Sequence, residues 1–272
     1  PMSHPSFATY QEEWIEKIDA SLSDYLQNLD EGCPELLRES MQYTLLLPGK
    51  RIRPLLTIMA VQSCGGNEEE ALPAACAIEM VHAFSLIHDD LPAMDDDDMR
   101  RGKPTNHKSF GEGQAILAGD ALFALAFEIV SSIEPPSVAM RCCQLLAVAS
   151  GPTGMGGGQS EDIAGLGADA DVCELELLHA RKTGALIEAA LQMGGVIAEA
   201  SQDKLLLLAE YGWRIGLAFQ ISDDLLDAEG DEAQTGKRVQ KDIGKGKLTY
   251  PSLIGIDESK SYVQQLIDEA CM

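Results

Sequence analysis

Apolar residues recur three or four positions apart along most of the chain. Between residues 8 and 30, Ile15, Ile18, Leu22, Leu26 and Leu29 form one stripe with charged residues between them, the pattern of an amphipathic helix. Cys33-Pro34 breaks that stripe, and a second helix is predicted from about Glu35 to Leu47. Pro54 suits the first turn of a third, where a missing backbone N–H costs nothing. An apolar run from Glu70 to Asp90 predicts a long buried helix, and Gly111 to Asp120 opens another. After Pro135-Pro136 a further helix ends near Ser150. The pattern then predicts a continuous helix from Glu174 to Ala200, one from Leu205 through Phe219 to Asp227, and a polar last helix from Glu258 to Ala270. Period-two alternation and hairpin signals recur nowhere. The expected fold is therefore all-α, a single domain over residues 1–272 built as one large helical bundle around a central apolar cavity.

Composition agrees with helix over sheet: 45% of residues are hydrophobic but only 5% aromatic, and Ala, Leu and Ile are abundant. A formal charge of −24 argues against nucleic acid and against stable association with an anionic membrane. Seven cysteines, an odd number without metal-site spacing, point to a reducing compartment rather than a disulfide framework. No N-terminal signal is visible and no stretch approaches an uninterrupted membrane span, so the expected location is the cytoplasm.

Against that acidic background the placement of charge becomes informative. Residues His88 to Gly102 read HDDLPAMDDDDMRRG, with Arg100 and Arg101 directly after the aspartates. A solvated acidic turn is the ordinary reading of such a run. A cluster of carboxylates at the end of an apolar helix also suits Mg²⁺, which takes one or two carboxylates together with substrate phosphates. A second cluster favours the latter: Gln220 to Asp227 reads QISDDLLD, and Asp223 and Asp227, four apart, project from one helical face. Two such clusters predict two jaws holding a Mg²⁺-bridged diphosphate. The basic residues are grouped as well. Lys50, Arg51 and Arg53 precede a helix start, a favourable place for an anion. His82 and Ser85 share a helical face with Asp89. Gly154 to Gly158, followed by Gln159 and Asp162, reads equally well as close packing and as part of a site.

DDLPAMD (Asp89 to Asp95) with Arg100-Arg101-Gly102, and DDLLD (Asp223 to Asp227), resemble the two aspartate-rich motifs of trans-isoprenyl diphosphate synthases. The likeness runs from about Gly49 to Pro251, and the spacing of the first motif resembles the short-chain bacterial and plant branch. The resemblance implies head-to-tail prenyl transfer by a homodimer, with small-molecule partners: isopentenyl diphosphate and an allylic diphosphate. It implies Mg²⁺ on Asp89, Asp90, Asp95, Asp223 and Asp227. It implies isopentenyl diphosphate on Lys50, Arg53, His82 and Arg101, in a segment that has Pro48 where the family usually has glycine. The allylic diphosphate and its departing anion would meet Arg100, Lys182, Thr183, Gln220, Lys237 and Lys247. Phe84 and Ser85, five and four residues before Asp89, stand where the family gates product length. An aromatic at the fifth position implies farnesyl diphosphate, with geranylgeranyl diphosphate as the alternative. A class I terpene cyclase would not need the second set of cations. A non-catalytic partner subunit would be expected to lack one aspartate cluster.

Overall fold

The computed structural model describes residues 6–167, 170–230 and 248–272. In chain order they form α1 (Phe7–Gln27), α2 (Glu35–Leu45), α3 (Ile52–Cys64), a 3₁₀ turn (Glu68–Ala71) running into α4 (Leu72–Asp89), β1 (Met99–Arg100), β2 (Lys103–Pro104), α5 (Asn106–Phe110), α6 (Glu112–Ser131), α7 (Pro136–Ser150), α8 (Met155–Ala164), α9 (Val172–His179), a π turn (Ala180–Gly184), α10 (Ala185–Ile197), α11 (Gln202–Glu229), α12 (Tyr250–Ile254) and α13 (Ile256–Ala270). The fold is all-α, as the periodicity predicts. They divide into two compact units, Pro1–Cys143 with Met193–Ala200, and Gln144–Gln192 with Ser201–Met272.

In the first unit α4 is the central element, packed on α6, α3 and α1. Its alanines, Ala74, Ala75, Ala77 and Ala83, are buried and let neighbouring helices come close, while Ile78, Met80, Val81 and Ile87 fill the space between. Each of those larger side chains stabilises the fold by about 1.5–3 kcal/mol through burial. The buried stripe of α1 is Trp14, Ile18, Leu22 and Leu26, a strict four-residue repeat with Ile15 at its margin. In the second unit Leu217, Ala218, Ile221 and Leu225 of α11 pack with Leu175, Leu266 and the fully buried Tyr250.

Three sequence expectations need correction. The predicted helix from Glu174 to Ala200 is interrupted by the π turn at Ala180–Gly184, and starts at Val172 because Asp171 and Glu174 form a capping box. A hairpin does exist: Met99 pairs with Pro104 and Arg100 with Lys103. Its turn residues, Arg101 and Gly102, both have positive φ (49° and 77°), as the tightest hairpin connection requires. Two stretches, contrary to expectation, do reach the length of a membrane span: Glu68–Asp89 and Glu112–Ser131 could each cross one by length and composition alone. A helix buried in a core passes the same test, and α4 is such a helix.

All seven cysteines are free thiols. Burial pushes Cys142 up to about 12, so it is an inert core group, whereas its neighbour Cys143 is half-buried.

Candidate active site

The first aspartate cluster begins where α4 stops. The helix does not continue to Pro92: Asp89 is the last helical residue and Asp90 the cap. The chain folds straight back, with Leu91 N–H donating to His88 O (3.1 Å), Asp96 N–H to Leu91 O (3.1 Å) and Asp95 N–H to Asp89 O (2.8 Å). That last bond sets Asp95 beside Asp89, which an unbroken helix would not do.

Asp90 is only 2% exposed and turns inward, where Arg100 grips it with three bonds of 2.6–3.0 Å. Burial pushes the Asp90 carboxyl up, and Arg100 pulls it part of the way back. The pair fixes Arg100 on the hairpin against the end of α4. The hairpin is anchored from below: Asn106 donates to Ser40 O (2.8 Å) and Thr44 Oγ1 (2.9 Å) and accepts from Ser40 Oγ (2.9 Å), all buried. Tyr43 Oη donates to Pro104 O at 2.8 Å.

Of the three cations at the start of α3, with Lys50 before it, Arg51 at its cap and Arg53 already in its first turn, one faces inward. Arg51 takes a left-handed conformation (φ 46°) and buries its guanidinium against Asp19 (2.8 Å), Glu79 (2.7 Å) and Leu47 O (3.1 Å). Breaking a buried pair of this kind costs about 3–5 kcal/mol, so Arg51 is an anchor. Lys50 is left exposed and Arg53 half-buried. Arg101 approaches the same turn and donates to Leu47 O at 3.2 Å. Gly49 makes that approach possible, since a Cβ there would lie 2.8 Å from the Arg101 guanidinium.

His82 lies among these cations. Burial first, then Arg53, Arg101, Arg100 and Arg51, push its imidazole well below the usual histidine range. The result is a neutral histidine in a patch of positive potential, within a chain of net charge −24. Strained backbone gathers here too. Among the described residues four non-glycines have positive φ; Arg51, Asp96 and Arg101 belong to this region and Glu199 does not.

Phe84 and Ser85 lie on α4 between His82 and Asp89. Ser85 Oγ donates back to His82 O (2.9 Å). Phe84 meets Phe123 of α6 (centroids 4.9 Å apart), and Phe123 meets Phe127 (5.1 Å). All three rings are half-buried. Phe123 and Phe127 are a turn apart on α6, a spacing that could have marked them in the sequence.

In the second unit the π turn carries Lys182 and Thr183. Single π turns inside helices concentrate at functional positions because the extra residue re-aims the side chains around it. Lys182 Nζ pairs with Asp162 (2.7 Å), and Arg181 pairs with Glu161. Gly158 on α8 permits this, since a Cβ would stand 2.4 Å from the Lys182 backbone nitrogen. Gly216 on α11 plays the same part from the other side, 2.9 Å from the Gly184 Cα. The Gly154–Gly158 stretch is thus packing, and its packing holds a candidate site residue.

A polar chain continues from Thr183. Its hydroxyl donates to Gln220 Oε1 (2.9 Å), Gln220 Nε2 donates to Asp224 (3.0 Å), and Asp224 accepts from the Tyr250 N–H (3.1 Å). Asp224 is buried and structural, while Asp223 is exposed and Asp227 half-buried. The helix sorts the three aspartates of DDLLD as the four-residue spacing predicts. Lys237 and Lys247 lie outside the described residues.

Known proteins agree on the class. A sequence model of the polyprenyl synthetase family matches residues 34–271. The chain is 44% identical to a farnesyl diphosphate synthase of Geobacillus stearothermophilus, covering 99% of this chain and 91% of that one. It is also 44% identical to a chloroplastic geranylgeranyl pyrophosphate synthase of Arabidopsis thaliana, covering 97% and 75%. Among solved structures, an FPP/GFPP synthase from Zymomonas mobilis superposes with a TM-score of 0.87 at 40% identity, over 97% of this chain and 90% of that one. A geranyltransferase from Helicobacter pylori, complexed with magnesium and isoprenyl diphosphate, gives 0.86 at 31% identity over 99% and 90%. The chain belongs to the polyprenyl synthetase family, as a prenyltransferase of the short-chain trans-prenyl diphosphate synthase type acting on small diphosphates.

Proposed function

We propose that the protein condenses isopentenyl diphosphate head-to-tail with dimethylallyl or geranyl diphosphate, in a Mg²⁺-dependent reaction whose main product is farnesyl diphosphate. The observation that carries this reading is the positive patch around His82, next to the carboxylates at the end of α4. The family match is continuous over residues 34–271, which supports treating both units as one catalytic domain.

The acidic residues fit the metal by donor type. Asp89, Asp95, Asp223 and Asp227 offer only carboxylate oxygens, the hard donors Mg²⁺ prefers. Asp90, turned inward, would contribute by holding Arg100 in place rather than by offering the metal a free oxygen. Mg²⁺, when bound, would neutralise the allylic diphosphate so that it can depart. Arg100, Lys182, Lys237 and Lys247 would hold that departing anion, and charge fixed in advance is usually the largest catalytic contribution. Thr183 and Gln220 would turn their oxygens toward the allylic cation. Isopentenyl diphosphate would sit on Lys50, Arg53, His82 and Arg101. A neutral His82 can donate a hydrogen bond there without a further proton to place. The released diphosphate would accept the final proton.

Phe84, braced by Phe123 and Phe127, would form the floor for the growing tail, with Ser85 above it. We place the enzyme in the cytoplasm as a homodimer, without nucleic acid or stable membrane association. The exposed Ile116 and Leu117 of α6 (42% and 57%) support a partner surface of the same chain.

Chromatography of products made from dimethylallyl and isopentenyl diphosphates tests the proposal. Fifteen-carbon product should dominate with Mg²⁺ and vanish with a chelator. Phe84→Ala should shift products toward twenty carbons and cost about 3 kcal/mol or less, because the ring is only half-buried. Mainly twenty-carbon product from the wild type would favour geranylgeranyl diphosphate synthesis, and no condensation at all would overturn the reading.

A further inference from the structure

Beyond the residues assigned above, the aspartate loop and the start of α5 bring together a second group of ligating side chains. Asp96, Asp98 and His107 each present one ligand atom, all within 4.8 Å of one another. The two aspartates are exposed, and His107 is buried at 6% exposure. Hydrogen bonds fix where the His107 proton sits. Thr105 Oγ1 donates its single proton to Asp97 O at 2.8 Å. The 3.1 Å bond between Thr105 Oγ1 and His107 Nδ1 must then be donated by Nδ1–H. A neutral imidazole with its proton on Nδ1 carries a lone pair on Nε2, and that atom is buried without a hydrogen-bond partner. An imidazole with one nitrogen held by an N–H···O bond and the other left as a lone pair is how histidine is oriented to ligate metal.

We propose that Asp96, Asp98 and the Nε2 of His107 form a divalent-cation site separate from Asp89 and Asp95. Two carboxylates and an imidazole suit a borderline transition ion such as Zn²⁺, Co²⁺ or Mn²⁺, whereas Mg²⁺ rarely takes nitrogen. Lys108 pairs with Asp98 Oδ1 at 2.8 Å, so an entering ion must displace this partly exposed ammonium or use the second oxygen. The bound ion would clip the loop before β1 to the first turn of α5. It would thereby stiffen the hairpin that carries Arg100 and Arg101, without touching substrate itself.

The test uses the whole protein, stripped with a chelator and kept free of diphosphate. Co²⁺ is titrated by its visible absorption, and Zn²⁺ is followed by nitrogen NMR of the five histidines. One Co²⁺ site should weaken at least tenfold in Asp96→Asn and persist in Asp89→Asn, and Zn²⁺ should shift Nε2 of His107 alone. His107→Gln should abolish the site. Because that side chain is buried, circular dichroism must show it folded, and the exposed Asp96→Asn carries the test if it is not. Co²⁺ affinity unchanged in Asp96→Asn, loss only in Asp89→Asn, or an unmoved His107 resonance would each overturn the proposal. None of these readouts depends on prenyl transfer, so the proposed activity stands or fails separately.

Discussion

His82 gives the residue scale its sharpest consequence. Its folded pKa lies below the unfolded value of about 6.5, so the unfolded chain takes up a proton that the native chain refuses. The stability this group leaves intact above about pH 6.5 is therefore lost as pH falls. Urea unfolding of wild type and His82→Asn between about pH 7 and 5 should show a shallower loss in the variant. Equal slopes would mean that His82 protonates readily in the folded protein. The neighbouring cations show what a sequence can and cannot say at this scale. Lys50, Arg51 and Arg53 read as one basic turn. Only the left-handed backbone at Arg51, and a buried carboxylate 28 residues onward at Glu79, divide them into a buried anchor, an exposed Lys50 and a half-buried Arg53. Asp223, Asp224 and Asp227 were easier, because their sorting follows from helical spacing alone.

Among elements, the π turn is the feature that periodicity misses. ARKTG keeps the composition of an ordinary helix, so nothing local marks the extra residue. What marks it is contact: Gly158 and Gly216 let two other helices close on its backbone. Gly158→Ala should force the Lys182 backbone aside, since the obstructing atom is a backbone nitrogen rather than a flexible side-chain end. We expect a destabilisation of about 1–3 kcal/mol and a fall in kcat of about tenfold or more. The KM for isopentenyl diphosphate should hardly change. Steady-state kinetics beside thermal unfolding checks both; normal turnover in a destabilised variant would make Gly158 a packing residue and nothing more. The hairpin escaped for a different reason. Its strands are two residues long, too short for any alternation, and Arg-Gly is an uncommon substitute for Asn-Gly in such a turn. The long helices were legible because α4 is apolar on nearly every side to fill the core, and α6 is apolar on its buried and its exposed faces alike.

For the whole molecule, a net charge of −24 opposes the approach of anionic substrates, while the cations around His82 attract them at close range. Salt screens the first effect more, because it acts beyond the Debye length of about 10 Å at 0.1 M. Raising ionic strength from about 10 to 100 mM should therefore increase kcat/KM for the diphosphates at constant free Mg²⁺. A steady decrease over that range would show that the local cations dominate even distant encounters. A different consequence follows from the interleaving of the two units. Met193–Ala200 belongs to the first unit yet follows 49 residues of the second. It docks tightly, for a Cβ on Gly194 would stand 2.2 Å from the Thr57 carbonyl oxygen, and one on Gly66 2.8 Å from Ala198. A chain emerging from the ribosome thus cannot close its first core when residue 143 appears. The face of α3 bearing Thr57 and Ala60 must wait, exposed, until some fifty later residues have been synthesised. The order of translation and the order of assembly are different sequences, and the interval between them is when a nascent chain of this architecture most needs protection.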